Sequence, residues 1–378
     1  MKGTPAWLRA QNDRTAFRLL LANGPLSRTQ LGELSGLSKP TAGQMIARLE
    51  RRGLIAPAGE ITGARGPNAV SYGVRRDALA GVAVSVLGDR IQAVLVDPTD
   101  ANHPVADVPT QGLPRSPADD VAAAVRAACA AAGVAGDTVS AVTVGVQAAV
   151  DADNDALSYT DTLPGWPQQG ARTQIEEATG LRVTLENDVN LATMAERAAG
   201  AVEGDFVYLW LGDGIGAGLC LGGTVLRGFA GGAGELGYLE VPASAGGIDP
   251  AASDLTDLAG GPGVRSLVGA PSEELAQVLV RVVTDPHVVT ELATRVAMVL
   301  HPVLAVLAPP TVVLGGPTGQ AGGDPLAARV ANLLGMASQR VRPSRVGHRP
   351  GPVLLGARSL LVAALRARLE ERIVEEDR

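Results

Sequence analysis

A chain of 378 residues is too long for one compact core and fits two or three domains. Hydrophobic residues make up 46% but aromatics only 3%, so Ala, Val and Leu must build the cores; no apolar run reaches the ~18 residues of a membrane span, Arg9, Asp13, Arg14 and Arg18 interrupt any secretory leader, and Cys129 and Cys220 are too far apart for a disulfide framework. The net charge of −7 hides an asymmetry: residues 1–80 hold twelve Lys/Arg against five Asp/Glu, a net of +7, which leaves −14 for the rest. A basic head on an acidic body is the pattern of a nucleic-acid-binding module joined to something that is not one, and a reducing cytoplasm with no membrane partner is the expected setting.

Residues 6–22 place Leu8, Phe17, Leu20 and Leu21 on one side of a predicted helix that ends at Gly24-Pro25. Ser27 and Gln30 have capping-box spacing ahead of a short helix carrying Leu31 and Leu34. Gly36 supplies the turn, Ser38 caps the next helix through about Arg52, and Pro40 sits in its first turn, where the missing amide is harmless. Met45, Ile46 and Leu49 form that helix's buried stripe, which leaves Lys39, Thr41, Gln44 and Arg48 on faces available to DNA. In a helix-turn-helix the N-terminal part of the second helix meets base edges, so Lys39, Thr41 and Gln44 are the expected contacts, with Ser38 on a phosphate. Residues 54–57 and 69–74 read as strands around a Gly/Pro-rich wing tip whose Arg65 suits a minor groove or the phosphate backbone. The run TQLGELSGLSKPTAGQMIARLERRGLI followed by GARGP resembles the winged helix-turn-helix of ROK-family repressors.

Beyond residue 78 the pattern is α/β. A hairpin covers 79–97, a Pro-rich loop 98–115, an Ala-rich helix 117–133, a strand feeding a loop 138–151, a helix 168–179, a strand 181–186 and a helix about 188–199. A second β-rich unit opens at 206–211 with strand, Gly turn, strand; helices follow near 252–260, 272–283 and 286–308, then a strand at 312–317 and a helix over about 356–375. Two hairpin-led units suggest a two-lobed fold with its ligand in the crevice between lobes. The ordered motifs VGVQAAVD, LPGW, LENDVNLATMAE, LGDGIGAGLCLGG and GGAGELGYLEV resemble those of the ROK family of sugar kinases and repressors. The resemblance implies an actin/hexokinase-like domain and the division 1–78 (winged head), 79–200 with helix 356–378 (first lobe) and 201–355 (second lobe).

The resemblance also assigns residues. Asp188 matches the family's catalytic base, although Asn187-Asp188 would suit a helix N-cap in any protein. Asn187 and Glu235 match sugar contacts. Against this, the opening phosphate turn of the kinases falls on Ser85, Leu87 and Asp89, and the second on Gly212-Asp213-Gly214, with Asp213 where a Thr is usual. A carboxylate there repels a triphosphate. Tyr238 replaces a His that touches sugar and zinc, and SAGGIDPAASDLTDLAG replaces the Cys-rich zinc segment. Ala148-Ala149 replaces a Pro-Gly pair, and the family's Asn falls at Asp161 or Thr162. The expectation is a DNA-binding regulator, not an enzyme, with no cofactor and no metal. Its ligand site would be built on Asn187, Asp188, Glu235 and Tyr238 and take a small effector, a sugar or derivative. As a homodimer or homotetramer it would read a palindromic double-stranded operator. The competing readings are a bifunctional sugar kinase with a DNA head and a DNA-binding scaffold with a vestigial cleft.

Overall fold

The computed structural model describes residues 4–61, 69–110, 115–242, 248–337, 340–347 and 349–375. The head contains α1 (Pro5–Asn23), β1 (Leu26–Ser27), α2 (Arg28–Ser35), α3 (Lys39–Arg51), β2 (Ile55–Ile61) and β3 (Ala69–Val74). Local chemistry sets these limits. Ser27 Oγ accepts from the Gln30 amide at 3.3 Å while Gln30 Oε1 accepts from the Ser27 amide at 2.9 Å, a complete capping box. Gly36 turns the chain between α2 and α3 at φ 68°, a left-handed conformation that a side chain would strain. Ser38 then caps α3 through the Thr41 amide at 3.4 Å. The strands form a sheet of order β1-β3-β2, and Phe17, Leu20, Leu31, Met45, Ile46 and Leu49 are buried beneath it.

The next unit runs β4 (Ala80–Val86), β5 (Arg90–Val96), β6 (Val105–Pro109), α4 (Pro117–Ala132), β7 (Val139–Val146), β8 (Ala149–Asp151), β9 (Ala156–Ser158), α5 (Ala171–Thr179), β10 (Arg182–Asn187) and α6 (Asp188–Ala198). Its main sheet has the order β10-β7-β4-β5-β6, parallel across β10, β7 and β4 and antiparallel toward β6. The expected loop over 98–115 therefore holds a strand. β6 lies at the sheet edge, half-buried and exposed residues alternate along it, and it pairs Val105 with Val94. An edge strand with no fully buried face leaves little hydrophobic signal in its sequence.

The third unit runs β11 (Phe206–Leu211), β12 (Ile215–Leu221), β13 (Thr224–Val225), α7 (Leu255–Ala259), α8 (Gly261–Leu267), α9 (Leu275–Thr284), α10 (Pro286–Leu307), β14 (Thr311–Gly315), α11 (Gly316–Leu333) and β15 (Val341–Pro343). Its sheet has the order β13-β12-β11-β14-β15. By length and composition α10 could cross a bilayer, but Leu292, Val296, Val299 and Leu300 are fully buried in this unit's core. Its Arg295 is also buried, donating to the Leu258 carbonyl at 2.9 Å and the Gly263 carbonyl at 3.1 Å.

The last helix, α12 (Pro352–Glu375), returns to the first units and joins them. Leu361, Leu365, Leu369 and Ile373 share one continuous apolar cluster with Phe17 and Leu20 of α1, Ala83 and Val94 of the β4–β5 hairpin, and Leu191 of α6. Gly356 permits the closest part of this packing, because a Cβ there would run into the Leu191 carbonyl. Charged side chains near the end of α12 also tie it to the head and to the segment that follows the head. Arg18 Nε donates to Glu370 Oε1 at 2.7 Å, Arg14 Nε to the Glu370 carbonyl at 3.3 Å and Arg372 Nη1 to the Ala78 carbonyl at 3.4 Å.

Candidate functional site

The junction of β10 and α6 places the first two site residues. Asn187 ends the strand and caps the helix: its Oδ1 accepts from the Asn190 amide at 2.9 Å and its Nδ2 donates to the Ala148 carbonyl at 3.1 Å. Buried Glu186 braces the junction, accepting from the Asn187 amide and Asn190 Nδ2 at 3.0 Å each and from Arg227 Nε at 2.7 Å. Asp188 follows at the first position of α6, where its Oδ1 accepts from the Val189 amide at 2.8 Å. Burial, reinforced by the nearby charge of Glu235, pushes its carboxyl up to about 7. Burial also raises Glu235.

Glu235 comes from the facing unit, on the loop after β13. Gly234 makes that loop possible: it is held against β12 by the Ala217 amide donating to its carbonyl at 2.8 Å, and at φ 94° a Cβ would strike the Ala217 carbonyl. Between the two units lies a cleft of about 530 Å³ lined by all four expected ligand residues, Asn187, Asp188, Glu235 and Tyr238, together with Ala148, Asp161 and Thr162. Tyr238 reaches across it. Its ring packs against Tyr159 with centroids 4.4 Å apart at 36°, and its Oη donates to Asp161 Oδ2 at 3.3 Å. Burial and the Asp161 charge push the Tyr238 phenol up to about 12.

At the β11–β12 turn, Asp213 Oδ1 is paired with Arg265 Nη2 at 2.6 Å, and Arg265 Nε donates to the Glu273 carbonyl at 2.7 Å. Ser85 is buried within β4, Asp89 pairs with neighbouring Arg90 at 2.9 Å, and neither these nor Leu87 lines the cleft. Sequence reading missed Tyr159, Trp210 and Arg265, all of which line it. Tyr159 carries a faint signal, a tyrosine in a loop beside Asp161; nothing local links Arg265 to Asp213, 52 residues earlier.

On the head, Ser38, Lys39 and Gln44 are exposed at the N-terminal end of α3, and Thr41 is half-buried, sharing a 2.8 Å hydrogen bond with Ser38 Oγ. Arg48 corrects the expectation of a DNA-facing side chain. Its Nε and Nη2 donate to Asp13 at 2.8 and 2.6 Å, and Arg52 Nη1 adds a contact at 3.5 Å. Asp13 has no exposed surface, so the fold must supply this partner, and α3 supplies it from the side next to its apolar stripe. Arg28, the first residue of α2, is exposed, with its guanidinium over the Tyr72 ring at 5.7 Å. Arg65 and the wing tip lie outside the described residues.

Residues 82–359 match the family model described as ROK family, and residues 9–56 match one described as winged helix-turn-helix DNA-binding. The glucokinase of Streptomyces coelicolor is 28% identical over 162 residues, 42% of this chain and 49% of that protein. The xylose repressor of Bacillus subtilis is 22% identical over 258 residues, 62% of each. The chain thus spans about half to three-fifths of the length of these relatives. A solved structure described as a ROK family transcriptional regulator, homolog of the E. coli MLC protein, superposes with a TM-score of 0.70 over 98% of this chain and 99% of that one; at 19% identity the likeness is one of fold. With the family model spanning most of the body and the cleft motifs gathered at one site, the chain belongs to the ROK family, with a winged helix-turn-helix ahead of an actin/hexokinase-like domain.

Proposed function

We propose that this chain is a sugar-responsive transcriptional repressor that senses its effector by binding and not by turnover. The observation that carries the proposal is the continuity of one apolar core from α1 of the head, through α12, to α6, whose first residue lines the cleft. A ligand in the cleft and DNA on α3 are then two sites on one packed body. In this reading Lys39, Thr41 and Gln44 meet base edges, Ser38 and Arg65 meet the backbone or minor groove, and Asn187, Asp188, Glu235 and Tyr238 hold a small sugar or derivative. The head (1–78) reads the operator, and the lobes 79–200 with 356–378 and 201–355 close on the effector. A homodimer or homotetramer in the cytoplasm would present two heads to half-sites one helical turn apart.

The absence of kinase chemistry is part of the proposal. What supports it is the Arg265–Asp213 ion pair on the glycine turn and Ser85, which is buried in β4 and does not line the cleft. These residues do not fit a magnesium nucleotide: the carboxylate on the glycine turn is taken by Arg265, and a serine stands where the family's kinases carry an Asp. The test pairs two assays on the purified chain. Binding to genomic DNA fragments across a salt series is expected to be sequence-selective and to weaken with salt, and Gln44→Ala is expected to cut affinity for the selected site by about 5- to 100-fold. Coupled ADP release with hexoses and ATP is expected to stay at background. Sugar-dependent ADP release would instead establish the bifunctional kinase, and equal weak binding to all DNA would overturn the repressor reading.

A further inference from the structure

The cleft carries information about the charge of its occupant, and the inference drawn from it rests on the ligand-binding reading above. Among the described residues five carboxylate side chains line it, Asp161, Asp188, Asp213, Glu235 and Asp254, against one cationic side chain, Arg265. Asp213 is already paired with Arg265 at 2.6 Å, and Asp254 Oδ1 is committed to the Asp257 amide at 2.8 Å as a helix cap. Asp161, Asp188 and Glu235 form no ion pair among the described residues. Asp161 receives only the Tyr238 hydroxyl and Asp188 only the amide of its own turn, while Glu235 accepts no hydrogen bond from a described residue.

Asp161, Asp188 and Glu235 disfavour a phosphate or a uronate when ionised, and Arg265, though it lines the cleft, is paired with Asp213. The raised Asp188 and Glu235 carboxyls ionise more readily beside a cation, so the preference is for a positively charged occupant. The cavity mouth adds an independent preference. The Tyr159 and Tyr238 rings, tilted at 36° with centroids 4.4 Å apart and with Tyr238 hydrogen-bonded to Asp161, are both partly exposed and offer π faces, whose quadrupole attracts a cation, and Trp210 lines the same cleft. Asp188 and Asn187, which line the same cleft, present acceptors and a donor suited to hydroxyl groups.

We propose that the effector is a cationic sugar, a hexosamine-class polyol whose protonated amine sits among Asp161, Glu235 and the Tyr159–Tyr238 pair while its hydroxyls face Asn187 and Asp188. Amine and hydroxyls would satisfy the open acceptors together, and each carboxylate would gain a charge-assisted hydrogen bond. Neutral hexoses fill the same space without neutralising it.

The test is calorimetric titration of the full-length chain at pH 7 with glucosamine, galactosamine and mannosamine, each matched with its parent hexose, its N-acetyl derivative and its 6-phosphate. At least one amine is expected to bind ten-fold or more tightly than its parent hexose and its N-acetyl form, with the 6-phosphate weaker than all three. Asp161→Asn and Glu235→Gln are each expected to collapse the amine-to-hexose affinity ratio toward one. Because both substitutions remove mutual repulsion, the melting temperature of the free chain should not fall, which separates lost recognition from lost folding. A parent hexose that matches or exceeds its amine, or a 6-phosphate that binds best, overturns the charge inference and leaves the ligand-binding reading standing. A panel with no binder at all overturns both.

Discussion

Asp13 is the residue the head can least afford to lose. It has no exposed surface, and its carboxylate joins α1 to α3 through Arg48 and Arg52. Asp13→Ala would take away the buried carboxylate that Arg48 and Arg52 both contact, and breaking such a pair from one side removes about 3–5 kcal/mol of stability. Urea denaturation measures this directly; a loss below about 1 kcal/mol would mean the pair does not hold the helices. Asp188 makes a different prediction. Its folded-state carboxyl titrates near 7, above the ordinary carboxylate value of 3.8, so its contribution to stability is fully present below the lower value and is lost as pH rises through the upper one. The free chain should lose stability between about pH 4 and pH 7 more steeply than Asp188→Asn, whose melting temperature is expected to be flatter over that window. Parallel curves would show that Asp188 is not the titrating group. At this scale Asn187, Asp188 and Glu235 were legible because each sits at a structural joint that its own motif creates. Arg48 was misread, and Arg265 missed, because their partners Asp13 and Asp213 lie on other elements, and helical spacing carries no trace of a distant carboxylate.

Elements whose ends are chemically marked could be read almost to the residue. The capping box at Ser27, the left-handed glycine at 36 and the Ser38 cap with Pro40 in the first turn set α2 and α3 before any tertiary contact is known. Several elements were hidden, among them the short β1, β9 and β15, the helix α8, and two longer ones, β6 and α11. β6 alternates only between half-buried and exposed residues, and α11 begins GPTGQAGGDP, a composition that reads as loop. It is two helical segments joined across Gly323, at φ 52° just ahead of Pro325, and the first is held by the tight packing of Thr318, Gly319 and Gly322. The α6–α12 contact yields a prediction at the same scale. Gly356→Ala puts a methyl group where the Leu191 carbonyl stands, and overpacking of this kind destabilises by about 1–3 kcal/mol. Chemical denaturation should show that loss; an unchanged midpoint would mean that the helices have room to separate.

At the scale of the whole molecule, the two-lobed plan with a winged head was legible from ordered motifs and charge asymmetry, but the way the head is attached was not. α12 enters the same apolar cluster as α1 and α6, so moving the α6 end that lines the cleft must disturb the packing beneath the head. The Arg18–Glu370 pair lies on that route, and Arg18 is largely exposed. Arg18→Ala should therefore change stability by less than about 1 kcal/mol while altering how strongly ligand and DNA influence each other. The decisive measurement is that mutual influence itself: the dissociation constant of the full-length chain for its selected DNA site, by fluorescence anisotropy at fixed salt, with and without the hexose or hexosamine that binds the cleft most tightly. The expected result is a change of about five-fold or more, matched by an equal change in sugar affinity when DNA is saturating, because coupling between two binding sites is reciprocal. A sugar that saturates the cleft and leaves the DNA dissociation constant where it was would contradict the claim that this cleft controls this head.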